Sequence, residues 1–198
     1  MADHKCHSDW DCSLAGVCVD RRCVCDSWAT GSDCSYLNFQ PVNRSRLGYL
    51  SGKHTSWGGN AVFGSDRKWH MFVTEIPCGR TGTRKRRCGL SQWQTSSHVV
   101  RVVADLPDGP YSLRSLVLPS YAHNPTVKVA EGSLPARSNW HLYFIAGPAG
   151  PINVITSSDE GLTWGRRKRV CPVSEQNPGP HLHPNGSMTM FCRQDGGK

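Results

Sequence analysis

Residues 140–164, WHLYFIAGPAGPINVITSSDEGLTW, show most clearly the pattern that runs through most of this chain. Two short runs rich in aromatic and β-branched residues, 140–146 and 152–156, are separated by a Gly- and Pro-rich turn, which is typical of antiparallel strands. The second run leads into Ser157–Trp164, in which Asp159 can close a turn by accepting backbone N–H bonds and Gly161 can adopt a positive φ. The stretch therefore predicts a β-hairpin followed by a tight structural turn.

The same alternation of short apolar runs and turn residues continues from Ser35 to the end of the chain. No stretch shows a sustained 3.6-residue periodicity, so we predict an all-β fold. The candidate strands are 60–64, 69–75, 98–104, 113–118, 125–130, 140–146, 152–156, 181–183 and 187–192.

These strands form an internal repeat in which an asparagine precedes a strand, a turn and an aromatic-rich strand. Asn60, Asn124 and Asn177 are the anchors of the three units, 64 and 53 residues apart. Units of about 50 residues with four strands each are the signature of propeller blades. We therefore expect about three blades, which is fewer than a closed propeller contains, and infer that the sequence is a piece of a longer chain.

Two short motifs resemble those of known propellers. Ser157–Trp164 is similar to the S-x-D-x-G-x-T-W Asp-box of sialidase-like propellers, and His123-Asn124-Pro125 resembles the five-bladed furanosidase and arabinanase clan of glycoside hydrolases. The resemblance covers roughly residues 57–192. It implies that the first strand of each blade directs side chains into an axial pocket, and that the protein binds or processes carbohydrate.

Six of the ten cysteines lie in residues 6–34, with intervening gaps of 5, 5, 4, 1 and 8 residues. So short a segment cannot bury a useful apolar core and needs staples. Zinc is an alternative, but the C-x2-C pairs of tetrahedral zinc sites are absent. The spacing resembles the EGF-like domain, which implies a two-stranded hairpin and the pairs Cys6–Cys18, Cys12–Cys23 and Cys25–Cys34.

The expected organisation is an EGF-like module over 1–34, a linker and leading strand over 35–56, and a partial glycosidase-like propeller over 57–198. The module lacks the oxygen ligands and the aromatic residue of its calcium-binding relatives, so we predict that it binds no calcium. Four cysteines lie outside it. Disulfides Cys78–Cys88 and Cys171–Cys192 would each close a short loop, and four buried thiols are the alternative.

Catalysis is the open question, because glycoside hydrolysis needs two carboxylates. The positions that are acidic in the resembled clan hold Asn60, Asn124 and Asn177, and an amide cannot act as a general acid or base. Glu75 and Glu175 are the best catalytic candidates among the remaining acids. The sialidase alternative needs an arginine triad that the sequence does not identify. We lean towards a protein without hydrolytic activity in the part present, and an active hydrolase with residues outside it is the alternative.

Ligand-binding candidates are the three anchor asparagines together with Trp57, which could stack on a sugar ring, and His123. His98, His123, His181 and His183 could ligate a metal, but no third ligand is evident for the pair His181-x-His183. We therefore expect neither a metal nor a cofactor.

The net charge of +8 comes mainly from two basic runs, Arg84–Arg87 and Arg166–Arg169. They could be solvated strand edges, a patch for acidic glycans or protein partners, or processing sites, but they lack the interleaved aromatics of nucleic-acid binders. No apolar run is long enough to span a membrane. With ten cysteines, we expect an extracellular or secretory protein whose signal sequence lies outside this sequence. Its expected partner is a carbohydrate or glycoprotein, and a non-enzymatic adhesion protein is the alternative.

Overall fold

The computed structural model describes residues 5–39, 48–80, 86–87, 89–119, 121–130, 139–147, 150–171 and 175–194, with the backbone alone for 79–80, 86–87, 175–176 and 192–194. The fold is all-β, as predicted. The chain divides into two compact units, Met1–Arg44 and Ser45–Lys198.

The first unit is built on three disulfides. A 3-10 helical turn over Asp9–Cys12 precedes strands β1 (Gly16–Val19), β2 (Arg22–Cys25), β3 (Ala29–Thr30) and β4 (Tyr36–Leu37). β1 pairs with β2 and β3 with β4, both antiparallel. The disulfides are Cys6–Cys18, Cys12–Cys23 and Cys25–Cys34, so the predicted pairing and the predicted hairpin are confirmed.

The second unit opens with a four-stranded antiparallel sheet. Strands β5 (Thr55–Phe63) and β6 (Trp69–Ile76) are followed by a two-stranded ribbon of β7 (Gly79–Arg80) and β8 (Arg86–Arg87). Helical turns over Leu90–Gln92 and Trp93–Ser96 lead to β9 (His98–Ala104) and β10 (Ser112–Leu118). The sheet order is β10-β9-β6-β5.

A second four-stranded sheet contains β11 (Ala122–Val129), β12 (Trp140–Ala146), β13 (Ile152–Ser157) and β14 (Lys168–Arg169), in sequence order. An antiparallel hairpin of β15 (Glu175–Leu182) and β16 (Met188–Gln194) follows. The first strands of the three pieces are neighbours, because β11 contacts both β5 and β15. The repeat predicted three blades of four strands, whereas the structure contains two four-stranded sheets and one hairpin in the described residues of this unit.

The largest buried side chains lie between the two sheets. Phe72 of β6 and Trp140 of β12 are 0% exposed and meet edge to face, with ring centroids 6.0 Å apart. Val127 and Leu142 complete the same cluster, and Trp164 packs against Phe72 at 5.4 Å. Burying these apolar surfaces holds the sheets together.

The turn at Ser157–Trp164 has the structural role that its residues predict. Asp159 accepts hydrogen bonds from the Thr163 backbone N–H and hydroxyl at 2.8 and 2.6 Å, and Ser157 Oγ accepts one from the Gly161 N–H at 2.8 Å. The carboxylate of Glu160 also accepts a bond from the Ser65 N–H at 2.9 Å. The turn of the second sheet is thereby fastened to the β5–β6 turn of the first.

Most observed strands match the predicted ranges closely, and three of them begin earlier than predicted for a common reason. β5, β11 and β15 begin three to six residues before the predicted strands, because each continues through an irregular segment containing Gly or Pro. Such residues normally interrupt strands, so the predicted strands began too late. β14 has only two residues and was missed.

Candidate functional site

The first strands of the three pieces carry the same irregularity near their amino ends. β5 pairs Trp57 with Thr74 and resumes with Asn60 opposite Phe72. β11 pairs His123 with Ile145 and resumes with Thr126 opposite Tyr143. In each case two residues lie opposite one, which is a β-bulge. β15 repeats it between residues 176 and 179.

The residue that opens each bulge has a left-handed backbone. The φ angles are +66° at Gly58, +50° at Asn124 and +58° at Asn177. Glycine and asparagine are the residues that adopt this conformation at least cost. The structural equivalent of Asn124 and Asn177 is therefore Gly58, and Asn60 lies two residues further along. The predicted alignment of the three asparagines is corrected by this register.

The second residue of each bulge brings the strand close to its neighbour. A Cβ atom on Gly59 would collide with the carbonyl oxygen of Phe72 on β6, so glycine is required there. The equivalent positions hold Pro125 and Pro178, both of which are buried. Each of these strands therefore stays close to its neighbour at the second bulge residue. The first residue of each bulge faces an open depression.

A pocket of about 170 Å³ occupies this depression. Trp57 is 38% exposed beside it, and the side-chain amide of Asn124 donates a hydrogen bond to Asn177 Oδ1 at 2.7 Å. The sequence-predicted candidates Trp57, Asn124 and Asn177 are thus brought together. Among the residues that the structure describes, the pocket is lined by Trp57, Gly58, Gly59, Asn124, Pro125, Thr126, Asn177 and Pro178.

Asn60 does not line the pocket, and its amide instead joins two strands. Its Nδ2 donates to the Val127 carbonyl at 2.9 Å, and its Oδ1 accepts from the Val127 N–H at 2.8 Å. The side chain thereby replaces the backbone pairing that β5 and β11 do not make. Both groups of the amide are used by these bonds, so the prediction of Asn60 as a ligand contact gives way to a structural role.

His123 does not line the pocket either, because it is only 1% exposed. Its Nδ1 lies 3.3 Å from Ser97 Oγ, and its ring meets Trp93 edge to face at 4.7 Å. Burial lowers the pKa of His123 to about 4. The imidazole is therefore neutral near pH 7 and acts as part of the packing beneath the bulge.

Of the two predicted catalytic acids, Glu175 has its side chain outside the described residues. Glu75 is 3% exposed and is held by hydrogen bonds from neighbouring side chains. Tyr49 donates to its Oε1 at 2.7 Å, and His54 Nδ1 and His98 Nε2 each lie 3.0 Å from its Oε2. Burial by itself would raise the pKa of Glu75, but hydrogen bonds from the side chains of Tyr49, His54, Ser51 and His98 lower it to about 2. Such a carboxylate is not a general acid near pH 7.

Sequence reasoning missed this cluster, which we call the Glu75 cluster and define as Tyr49, His54, Glu75 and His98. The spacing of its members resembles no short ligand motif. One usable signal was the antiparallel pairing of β6 with β9, which places His98 directly opposite Glu75. Tyr49 and His54 come from the segment before β5, which was predicted only as a linker and leading strand.

The cysteines and basic runs of the second unit are only partly described. Cys78 is disulfide-bonded, and its expected partner Cys88 lies outside the described residues. Cys171 is buried, and the side chain of Cys192 lies outside the described residues. Arg166–Arg169 is exposed, whereas the side chains of Arg84–Arg87 lie outside the described residues.

No helix among the described residues is long and apolar enough to cross a membrane. Comparisons of the chain with protein-family models, with curated proteins and with solved structures found no match.

Proposed function

We propose that this chain is an extracellular carbohydrate-binding protein, with an EGF-like module ahead of a propeller-like arrangement of sheets. The sugar would occupy the pocket formed by the three bulges. The observation that carries the proposal is the convergence of Trp57, Asn124 and Asn177 on that pocket.

The chemistry of the lining suits a sugar. A sugar ring presents C–H groups on its faces and hydroxyls, which both donate and accept, on its edges. The half-exposed indole of Trp57 offers an apolar face, and the amides of Asn124 and Asn177 offer donors and acceptors. A small number of polar groups beside an aromatic surface is typical of a ligand pocket.

The lining favours binding over hydrolysis. No residue that lines the pocket within the described part of the chain carries a carboxylate. Hydrolysis needs an acid and a base or nucleophile on either side of the scissile bond. Glu75 belongs to a separate cluster and is ionised.

The extracellular assignment rests on cysteine chemistry. Three disulfides in the first unit, with the cysteine spacing and pairing of an EGF-like domain, are stable in an oxidising compartment. The propeller-like assignment rests on the repeat and on the contacts of β5 and β15 with β11. Both are proposals about family, and the glycan test does not depend on either.

The test is a glycan array probed with the secreted, oxidised chain, followed by calorimetry with a glycan that binds. We expect Trp57→Ala to weaken binding at least tenfold, which is about 1.4 kcal/mol. Asn124→Gly and Asn177→Gly remove the amides but keep a residue that accepts the positive φ, so we expect weaker binding with an intact fold.

Trp28→Ala is the matched control, since Trp28 is also exposed, at 53%, but belongs to the first unit. It should leave glycan affinity unchanged. A folded sample that binds no glycan, or one whose binding survives Trp57→Ala and both asparagine changes, would rule the proposal out. Release of free sugar from a bound glycan would instead support the hydrolase alternative.

A second candidate function is the binding of an acidic polymer or acidic protein through Arg166–Arg169. The favouring observation is that these four cations are exposed and include the short edge strand β14. A like-signed run attracts polyanions in a salt-dependent manner. Heparin-column elution of the chain with all four residues changed to Gln, compared with wild type, tests it: unchanged elution would leave these residues as edge protection only.

A further inference from the structure

The Glu75 cluster gathers three metal-ligating atoms at one point of the first sheet. His54 Nδ1, Glu75 Oε2 and His98 Nε2 all lie within 4.8 Å of one another. The side chains are 30%, 5% and 15% exposed, so the cluster is largely withdrawn from solvent.

The pairing of the strands places these groups close together. Glu75 and His98 are directly paired residues of β6 and β9, so their side chains point to the same face of the sheet. His54 immediately precedes β5, whose first residue Thr55 pairs with Ile76. The three ligands thus come from three adjacent segments held by sheet hydrogen bonds, which is the kind of rigid support that a metal site needs.

The distances from the two ring nitrogens to the carboxylate oxygen are close to those of a tetrahedral site. Metal–ligand bonds of about 2.0–2.2 Å set the ligand atoms of tetrahedral zinc about 3.3 Å apart. Both imidazole nitrogens lie 3.0 Å from Glu75 Oε2. To bind an ion, the two ring nitrogens would need to move only a few tenths of an ångström away from Glu75 Oε2. The ring proton that each imidazole directs at the carboxylate would move to the other nitrogen of the same ring.

We propose that His54, Glu75 and His98 bind a divalent zinc-type cation, through the two ring nitrogens and one carboxylate oxygen. Two neutral imidazoles and one carboxylate suit Zn²⁺, a borderline ion that takes nitrogen and oxygen ligands. One carboxylate leaves the occupied site with a net charge of +1, which is compatible with partial burial.

Two neighbouring features complete the site. Tyr49 donates to Glu75 Oε1 at 2.7 Å and so fixes the carboxylate, as outer partners of metal ligands commonly do. A pocket of about 280 Å³ adjoins Glu75 and His98 and is otherwise lined by Val100, Leu113, Leu116 and Pro119. Three protein ligands beside such a pocket leave a fourth coordination position for water or a small ligand, as in open zinc sites.

The cysteines of the first unit do not compete for the ion in oxidised protein. Cys6, Cys12 and Cys23 also lie within mutual ligand distance, but all three are in disulfides. Reduction would turn them into thiolate ligands, so the sample for any metal measurement must stay oxidised.

The test uses the full, oxidised chain after treatment with a chelator. Zn²⁺ is titrated into the protein in competition with a chromophoric chelator, which gives the affinity. A second titration uses Co²⁺, whose visible bands report the coordination geometry. We expect one tight equivalent of Zn²⁺ and tetrahedral-type Co²⁺ bands. Zn²⁺ should also raise the unfolding temperature, because it binds the folded state.

The variants of the metal ligands differ in how strongly they are expected to disturb the fold, since the ligands differ in burial. His54→Gln changes the most exposed ligand and Glu75→Gln the most buried one, and each should weaken Zn²⁺ binding at least 100-fold. Tyr49→Phe leaves all three ligands and should weaken it about tenfold. His181→Ala with His183→Ala is the control, since these two rings lie 4.6 Å apart in the β15–β16 hairpin and could bind metal adventitiously.

The outcomes separate cleanly. Absence of a tight equivalent in folded wild type, or loss of it in the His181/His183 variant alone, overturns the proposal. Unchanged affinity in folded His54→Gln overturns it as well, whatever happens to the fold of the Glu75 variant. Glycan binding through the bulge pocket is an independent measurement, because Trp57→Ala should leave the zinc equivalent intact.

Discussion

The two units of this chain are held together by different means. The core of the first unit is made of Cys6, Cys12, Ala15, Ala29 and Cys34, and its largest apolar side chains are exposed, with Trp10 at 76%. The core of the second unit contains Trp140, Tyr143, Phe72 and Phe144, all fully buried. The first unit therefore depends on covalent links and the second on packing.

Chain length explains the difference. A unit of about 40 residues cannot bury enough apolar surface to offset its conformational entropy, so disulfides must restrict its unfolded state. A unit of about 150 residues can do so with strands alone. The contrast predicts that each unit is sensitive to a different kind of change.

The largest effect is expected for Trp140→Ala. Trp140 is 0% exposed and packs against Phe72 at 6.0 Å and His70 at 5.3 Å. Loss of a buried Trp side chain typically lowers the free energy of unfolding by about 4 kcal/mol, through lost transfer energy and the cavity left behind. Denaturant unfolding of the second unit measures it. Trp10→Ala is the control and should change stability by less than about 0.5 kcal/mol; an equal loss in both variants would contradict the contrast.

A somewhat smaller effect is expected when Cys12 and Cys23 are both changed to Ala. The disulfide closes a loop of about a dozen residues, and its removal should destabilise the first unit by about 3 kcal/mol. Hydrogen exchange of the β1–β2 amides should then become much faster, whereas exchange in β12 should not change. Protection that persists in β1–β2 would show that packing contributes more to this unit than its core composition indicates.

The smallest effect is the pH dependence of stability that arises from His123, a buried residue of the second unit. Burial lowers the pKa of His123 to about 4 from its usual 6.5, so between these values the unfolded chain binds a proton that the folded chain does not. Stability present above about pH 6.5 should therefore be lost as the pH falls, by about 2 kcal/mol at pH 5.

The measurement is the free energy of unfolding of the second unit between pH 7 and pH 4.5. His123→Gln keeps a hydrogen-bonding group beside Ser97 but does not titrate, so the decline with falling pH should be shallower in that variant. If the free energy of unfolding depended on pH identically in the two proteins, His123 would not be the cause of the decline.

Much of the fold was predictable because it depends on local sequence. β6, β9, β12 and β13 were placed within about one residue, since alternating apolar residues and turn chemistry act over short distances. The turn at Ser157–Trp164 was equally predictable, because Asp159 and Thr163, which are hydrogen-bonded to each other, are only four residues apart. The disulfide pairing of the first unit was implied by a family resemblance, and the structure confirmed the pairing itself.

The candidate site was predictable only in part. The candidates Trp57, Asn124 and Asn177 line one pocket, but Asn60 was aligned with the wrong positions. The reason is the bulge, whose first residue is glycine in β5 and asparagine in β11 and β15. A shared backbone conformation, not a shared residue type, relates the three strands, and a sequence pattern does not display φ angles.

The all-β class, the cysteine staples and the turn that ends β13 follow from the amino-acid sequence alone, because each arises from residues close together in the chain. Only the tertiary structure decided that Asn60 ties β5 to β11, that His123 is buried, and that His54, Glu75 and His98 meet. Those contacts depend on strand register and on which sheet face each side chain occupies. Register is set by pairing between distant segments, so it emerges only when the sheets have assembled.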